Sequence, residues 1–178
     1  LKHHDYSSPG AYFVTICTDK RKRLFWSGAF DAKKFSWCSV GANCVRPQNL
    51  PLSRTGKIVF SELEKWNATY EAVRLHSYVI MPDHLHIMVL IFAGAEGGRT
   101  QFAPTKENDE SGKIRLPPTL DRMVKQFKGA VTKKISNPIW QKSFTEHVIR
   151  NNEDFETRLN YLYENPVRWY YEGLYTGE

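Results

Sequence analysis

The chain has 178 residues, 41% of them apolar and 25% charged, so it can bury one core and is not a disordered tail. Its 25 Lys and Arg against 19 Asp and Glu leave a formal charge of +6, and a pI near 9.2 favours an anionic partner. Cys17, Cys38 and Cys44 are odd in number and form no C-x-x-C pair, which excludes a disulfide framework and a zinc ribbon and makes a reducing cytosol the expected compartment. No apolar run approaches the roughly 20 residues of a membrane span, the N-terminal LKHHD is not a secretory signal, and the missing initiator Met is expected of a trimmed or partial chain.

Residues 11–18 (AYFVTICT) follow Pro9-Gly10 and are rich in β-branched and aromatic side chains, which predicts a buried strand. Residues 19–23 (DKRKR) read as a basic loop, and the Gly- and Pro-containing stretch 36–51 reads as an irregular one. From Leu52 the apolar positions Val59, Leu63, Trp66 and Tyr70 recur at helical spacing, with Pro51 where a first turn tolerates it. Two apolar stretches, 72–81 and 84–92, flank Pro82-Asp83 and predict a hairpin. Residues 93–118, rich in Gly, Pro and charge, predict a mobile loop.

A second helix starts at Thr119, with Leu120, Met123, Val124, Phe127, Val131 and Ile135 on one face and Arg122, Lys125, Lys128, Lys133 and Lys134 on the other. A short strand over 143–149 and a last helix over 152–165 complete the order β-α-β-β-α-β-α. The first six elements predict one α+β domain over 1–178, a ferredoxin-like (split βαβ) antiparallel sheet backed by helices.

Two segments carry chemistry. In MPDHLH the residues His84 and His86 are two apart on a strand, so both imidazoles project from one face. They can share a transition-metal ion, or merely hydrogen-bond on a half-exposed sheet face. In the last helix Tyr161 and Asn165 are four apart and therefore neighbours, and Asn165 precedes Pro166, a usual helix end. A hydroxyl nucleophile with an oxygen ligand one turn away suits metal-assisted phosphoryl transfer; a surface tyrosine and a capping Asn is the plainer alternative, and Tyr163 is a rival nucleophile.

Together these residues resemble the single-tyrosine, His-hydrophobic-His transposase family, and within it the REP-associated tyrosine transposases. The matching pieces are YFVTICTDKRKRLF at 12–25, YVIMPDHLHIMVLI at 78–91, LDRMVKQFKGAVTKKI at 120–135 and IWQKSFTEHVIRNNEDFETRLNYLYENPVRW at 139–169. The resemblance runs from residue 11 to about 175, interrupted at 36–51 and 93–118. Stretch 36–51 is longer than the family pattern, and Trp169-Tyr170-Tyr171 replaces its basic or small residues after N-P-V.

The resemblance implies that His84 and His86 bind a divalent metal, Mg²⁺ or Mn²⁺, that Asn165 is the third protein ligand, and that Tyr161, on the C-terminal helix, is the nucleophile. The implied activity is cleavage and rejoining of single-stranded DNA at hairpin-associated sites through a covalent 5′-phosphotyrosine, by a cytoplasmic, nucleoid-associated protein. Lys20, Arg21, Lys22 and Arg23, with Arg122, Lys125, Lys128 and Lys133, would hold the DNA backbone, and exposed aromatics would stack unpaired bases. The pattern is compatible with a monomer or a homodimer. The alternatives are a catalytically inactive module that recognises DNA hairpins, and a small metallohydrolase with water as nucleophile.

Overall fold

A computed structural model describes residues 9–40, 44–70, 72–92 and 119–173. Its elements are β1 (Gly10–Cys17), a 3-10 turn (Asp19–Arg21), β2 (Ser36–Ser39), β3 (Val45–Gln48), α1 (Arg54–Glu64), α2 (Trp66–Thr69), β4 (Val73–Ile80), β5 (His84–Ile91), α3 (Leu120–Ile135), β6 (Thr145–Ile149) and α4 (Asn152–Tyr171). The loop expected at 93–118 lies outside the described residues.

The strands form a single sheet in the order β2-β3-β4-β5-β1-β6. Its four-strand core, β4-β5-β1-β6, is antiparallel throughout and has the split-βαβ order expected from the sequence. Pro82-Asp83 closes the β4–β5 hairpin, with the Met81 amide donating to the His84 carbonyl at 2.8 Å.

Three expectations are corrected. Stretch 36–51 is not an irregular loop: it holds the β2–β3 hairpin, and β3 joins β4 parallel, so the sheet is mixed rather than wholly antiparallel. Its local pattern is weak because Trp37 and Pro47 pair across the hairpin while Arg46 is buried under the sheet edge, hydrogen-bonded to the carbonyls of Leu75 and His76. The first helix starts after Ser53, which caps the Gly56 amide, and breaks at Lys65 into α1 and α2. The last helix does not stop at Asn165 but carries Pro166 inside it and runs on to Tyr171. Proline removes one hydrogen bond and disfavours helix before it; here the buried contacts of Leu162, Asn165 and Pro166 outweigh that local bias.

The two sheet faces divide the helices. Val14, Ile87 and Tyr78 are cross-strand partners on one face, where Phe60 of α1 meets the Tyr78 ring and α3 packs beside α1. Leu63, Met123, Val124, Phe127 and Val131 are almost wholly buried there; burying such a side chain stabilises by about 1.5–3 kcal/mol. On the other face Phe13, Thr15, His84 and His86 look toward α4. Phe155 and Tyr161 of α4 close over this face, meeting His76 and His86.

Candidate active site

β5 carries both histidines into the space beneath α4 while Leu85 between them enters the opposite layer, as the strand period requires. Each imidazole is 5% exposed, and their Nε2 atoms stand 3.1 Å apart. The outer nitrogens are both anchored. His84 Nδ1–H donates to Asp83 Oδ1 at 2.6 Å, and His86 Nδ1 lies 2.8 Å from the Thr15 hydroxyl.

This arrangement dictates tautomers. The Asp83 carboxylate can only accept, so His84 keeps its proton on Nδ1 and points a lone pair inward. Thr15 can donate or accept. When it donates to His86, His86 Nε2–H can donate to His84; when it accepts, both inner nitrogens are lone pairs and need a cation between them. Burial holds His86 well below the usual imidazole value, with His84 and Arg21 adding to the effect, so it stays neutral as a ligand must be.

A divalent ion fits this donor set. Two nitrogens each about 2.1 Å from one ion and at right angles to it are about 3.0 Å apart, close to the spacing found. Behind them stand a carboxylate and a hydroxyl, the outer partners that orient metal-ligating histidines. α4 is the element that faces the histidine pair. Tyr161 rests its ring 5.2 Å from His86, and Trp169, two turns on, rests 5.6 Å from His84. Asn165, midway between them on the same helical stripe and 8% exposed, is therefore presented to the histidine pair. Among the described residues no group of three His, Cys, Asp or Glu side chains could hold an ion, so a third protein ligand has to be of another type.

The nucleophile candidates separate. Tyr161 is 40% exposed beside the pair. Tyr163 turns away, its ring 4.7 Å from Trp37 of β2, and burial raises its pKa although a hydrogen bond with Ser77 opposes this.

The basic residues divide as well. Arg21 faces the site: its Nε is 2.9 Å from Asp83 Oδ2, and Nη1 donates to Cys17 Sγ at 2.8 Å. Lys20 and Arg21 have φ of 52° and 55°, a left-handed turn that costs on the order of 1–3 kcal/mol per residue. Ties to the Pro82-Asp83 turn hold it there: Thr18 Oγ1 and its amide both reach the Asp83 carbonyl, and the Phe25 amide reaches that of Pro82. Lys20, Lys22 and Arg23 are exposed at this end of the sheet.

Arg122, Lys125 and Lys133 are exposed on α3, across the sheet from the histidines. Lys128 instead holds the chain that follows α3, its ammonium donating to the carbonyls of Gln141, Lys142 and Ser143, and burial lowers its pKa. Its neighbours Lys133 and Lys142 line a groove of about 450 Å³ with Thr132, Pro138 and Trp140.

Sequence reading missed Thr15 and Phe13 as supports of the site, and it assigned Arg21 to the DNA backbone, whereas here Arg21 is paired with Asp83. Asp83 had a local signal in M-P-D-H-L-H, whereas Thr15 becomes His86's partner only through the β1–β5 register.

No family model matches the chain. An uncharacterized protein of Haemophilus influenzae is 28% identical over 187 residues, covering 98% of this chain and 90% of its own. A putative REP-associated tyrosine transposase of the same organism is 30% identical over 96 residues, and the REP-associated tyrosine transposase of Escherichia coli is 30% identical over 94. Those two matches cover 50% and 53% of this chain but 47% and 44% of the relatives, under half the length of either. The solved structure of a REP-associated tyrosine transposase bound to a REP hairpin superposes with a TM-score of 0.56 at 19% identity, over 94% of this chain and 73% of that one, and shares its fold. Among the described residues no helix is long and apolar enough to cross a membrane.

Proposed function

We propose that this chain is a member of the REP-associated tyrosine transposase family and cuts and rejoins single-stranded DNA at hairpin-associated sites, with Tyr161 as nucleophile and a divalent ion, Mg²⁺ or Mn²⁺, on His84, His86 and Asn165. The observation that carries this reading is the juxtaposition of two inward Nε2 atoms 3.1 Å apart with an exposed tyrosine ring 5.2 Å from His86 of the same chain. It also supports action of Tyr161 on its own chain's site.

The residues divide the work. His84, fixed by Asp83, and His86, fixed by Thr15, would hold the ion through neutral donors, so its affinity is expected to be weak without phosphate oxygens. The ion, when bound, polarises a phosphate oxygen and neutralises charge that develops on it. α4 would hold the Tyr161 hydroxyl beside a phosphate bound at the histidine pair, an advantage of positioning rather than of base strength. The Tyr161 oxygen–phosphorus bond forms as the bond to the 3′ oxygen breaks; the phenol proton leaves to solvent and the departing oxygen takes one up. The ester is conserved, so the free 3′ hydroxyl can reverse the attack.

The test is an SDS-resistant adduct between the protein and a single-stranded REP hairpin oligonucleotide in Mg²⁺. Tyr161→Phe is expected to give none while still shifting the DNA in a native gel, and Tyr163→Phe to keep it. An adduct that persists in Tyr161→Phe and disappears in Tyr163→Phe refutes the assignment. Cleavage without an adduct transfers the attack to water, and binding without cleavage leaves a hairpin-recognition module.

A further inference from the structure

One cation near the nucleophile takes no part in holding the metal site. Arg158 lies on α4 one turn before Tyr161, and its guanidinium carbon sits 5.9 Å from the centre of the Phe13 ring. That same ring stacks 5.2 Å from His86 and meets Tyr161 edge-on at 6.1 Å. Arg158, Tyr161 and His86 thus surround one buried phenylalanine, which sets them at a fixed spacing.

The guanidinium is barely used by the protein. Among the described residues its polar contact is a single one, from Nε to Asp154 Oδ1 at 3.5 Å, the outer limit of a hydrogen bond. Asp154 is already satisfied: His147 Nε2 lies 2.9 and 2.8 Å from its two oxygens, and the Arg150 amide donates to Oδ2. Neither terminal nitrogen of Arg158 has a protein partner among the described residues, and its side chain is 37% exposed. The His147–Asp154 pair, joining β6 to the first turn of α4, holds the root of this side chain and leaves its fork open.

We propose that Arg158 is a catalytic residue of the Tyr161 reaction, its guanidinium binding a non-bridging oxygen of the phosphate under attack. The inference rests on the reading of Tyr161 as nucleophile. The chemistry asks for such a group. The candidate ligands His84, His86 and Asn165 are neutral, whereas the diester carries one negative charge and accumulates more as the phenol oxygen approaches. Arginine is suited to this role because its planar guanidinium presents fixed N–H donors to a phosphate oxygen and stays charged at any working pH. Placed over Phe13, it approaches that phosphate from the Tyr161 side, while the histidines approach from the strand side.

The experiment measures single-turnover adduct formation at saturating Mg²⁺ and hairpin oligonucleotide for wild type, Arg158→Ala, Arg158→Gln and Arg158→Lys. The cut position is mapped first with wild type, and each variant's DNA Kd and Tm are measured alongside. The loss of one charge-stabilising donor is expected to slow Arg158→Ala and Arg158→Gln by on the order of 100-fold with Kd changed less than about threefold, and Arg158→Lys is expected to recover part of the rate. The decisive arm uses the two methylphosphonate diastereomers at the cut position. One of them lacks the oxygen that Arg158 binds, and on it wild type and Arg158→Ala are expected to react at equal rates, while on the other the difference persists.

Rates for Arg158→Ala within about threefold of wild type overturn the proposal, as does a rate ratio that is the same on the diester and both methylphosphonates. Wild type that forms no adduct on the diester refutes the Tyr161 reading and this inference with it. An active wild type with an unaffected variant refutes this inference alone.

Discussion

Asp83 is the residue on which the candidate metal site most depends without containing it. Its carboxylate, 7% exposed, accepts from His84 Nδ1 at 2.6 Å through one oxygen and meets Arg21 at 2.9 Å through the other. Asp83→Ala removes a charged hydrogen bond worth roughly 1.5–3 kcal/mol. The Arg21 partner is 46% exposed, so solvent screening leaves its share at about 0–1 kcal/mol. A total near 1.5–4 kcal/mol lowers Tm by about 3–16 °C in a chain of this size. Asp83→Asn keeps an acceptor for Nδ1–H and loses only the charge, so its Tm falls less.

Asp83→Ala frees the His84 ring to rotate, and both variants weaken it as a donor, which for an outer partner of a metal-ligating histidine costs about 10–100-fold in affinity. The assay is Mn²⁺ titration followed by electron paramagnetic resonance, with near-ultraviolet circular dichroism to confirm folding and His84→Ala as the reference for a lost ligand. Folded Asp83→Asn and Asp83→Ala proteins that bind Mn²⁺ within about twofold of wild type refute the reasoning, since the carboxylate then neither orients nor polarises the imidazole.

Three more outcomes follow. His86 and His76 are both held below the usual imidazole pKa, chiefly by burial, so below about pH 6.5 the unfolded chain takes up protons that the folded one refuses; in EDTA, stability is expected to be full above that pH and to fall as pH drops toward 5, and an unchanged slope in His86→Gln rules out His86 as a source. A β-carbon at Gly56 would overlap the Phe25 carbonyl oxygen, whereas at Gly129 it meets open space; thermal melts are expected to show Gly56→Ala destabilised and Gly129→Ala more stable by about 0.5–1 kcal/mol, and equal shifts would contradict this packing. On hairpin DNA, Lys125→Gln and Lys133→Gln are each expected to reduce the slope of log affinity against log salt by about one, while Lys128→Gln lowers Tm because it uncaps three carbonyls; a slope loss confined to Lys128→Gln would reverse the assignment.

Much of this protein is local in origin. The β-branched and aromatic run of β1, the apolar run of β5, the apolar stripe and Thr119 cap of α3, and the Pro82-Asp83 turn are each written within a single short segment, because strand propensity, helix period and turn chemistry act at that range. Strand and helix periods put His84 with His86 and Tyr161 with Asn165. Three things depended on tertiary contacts. The β2–β3 hairpin exists because β4 offers an edge and buries Arg46, which no pattern within 36–51 announces. α4 runs through Pro166 because packing on the sheet outweighs a local penalty, and that continuation is what brings Trp169 to His84. The pairing of Thr15 with His86, and of Phe13 with Tyr161, follows from strand register and from the face that α4 covers. Periodicity determines which side chains share a face; only the folded sheet decides which faces meet, because that depends on contacts between segments more than seventy residues apart.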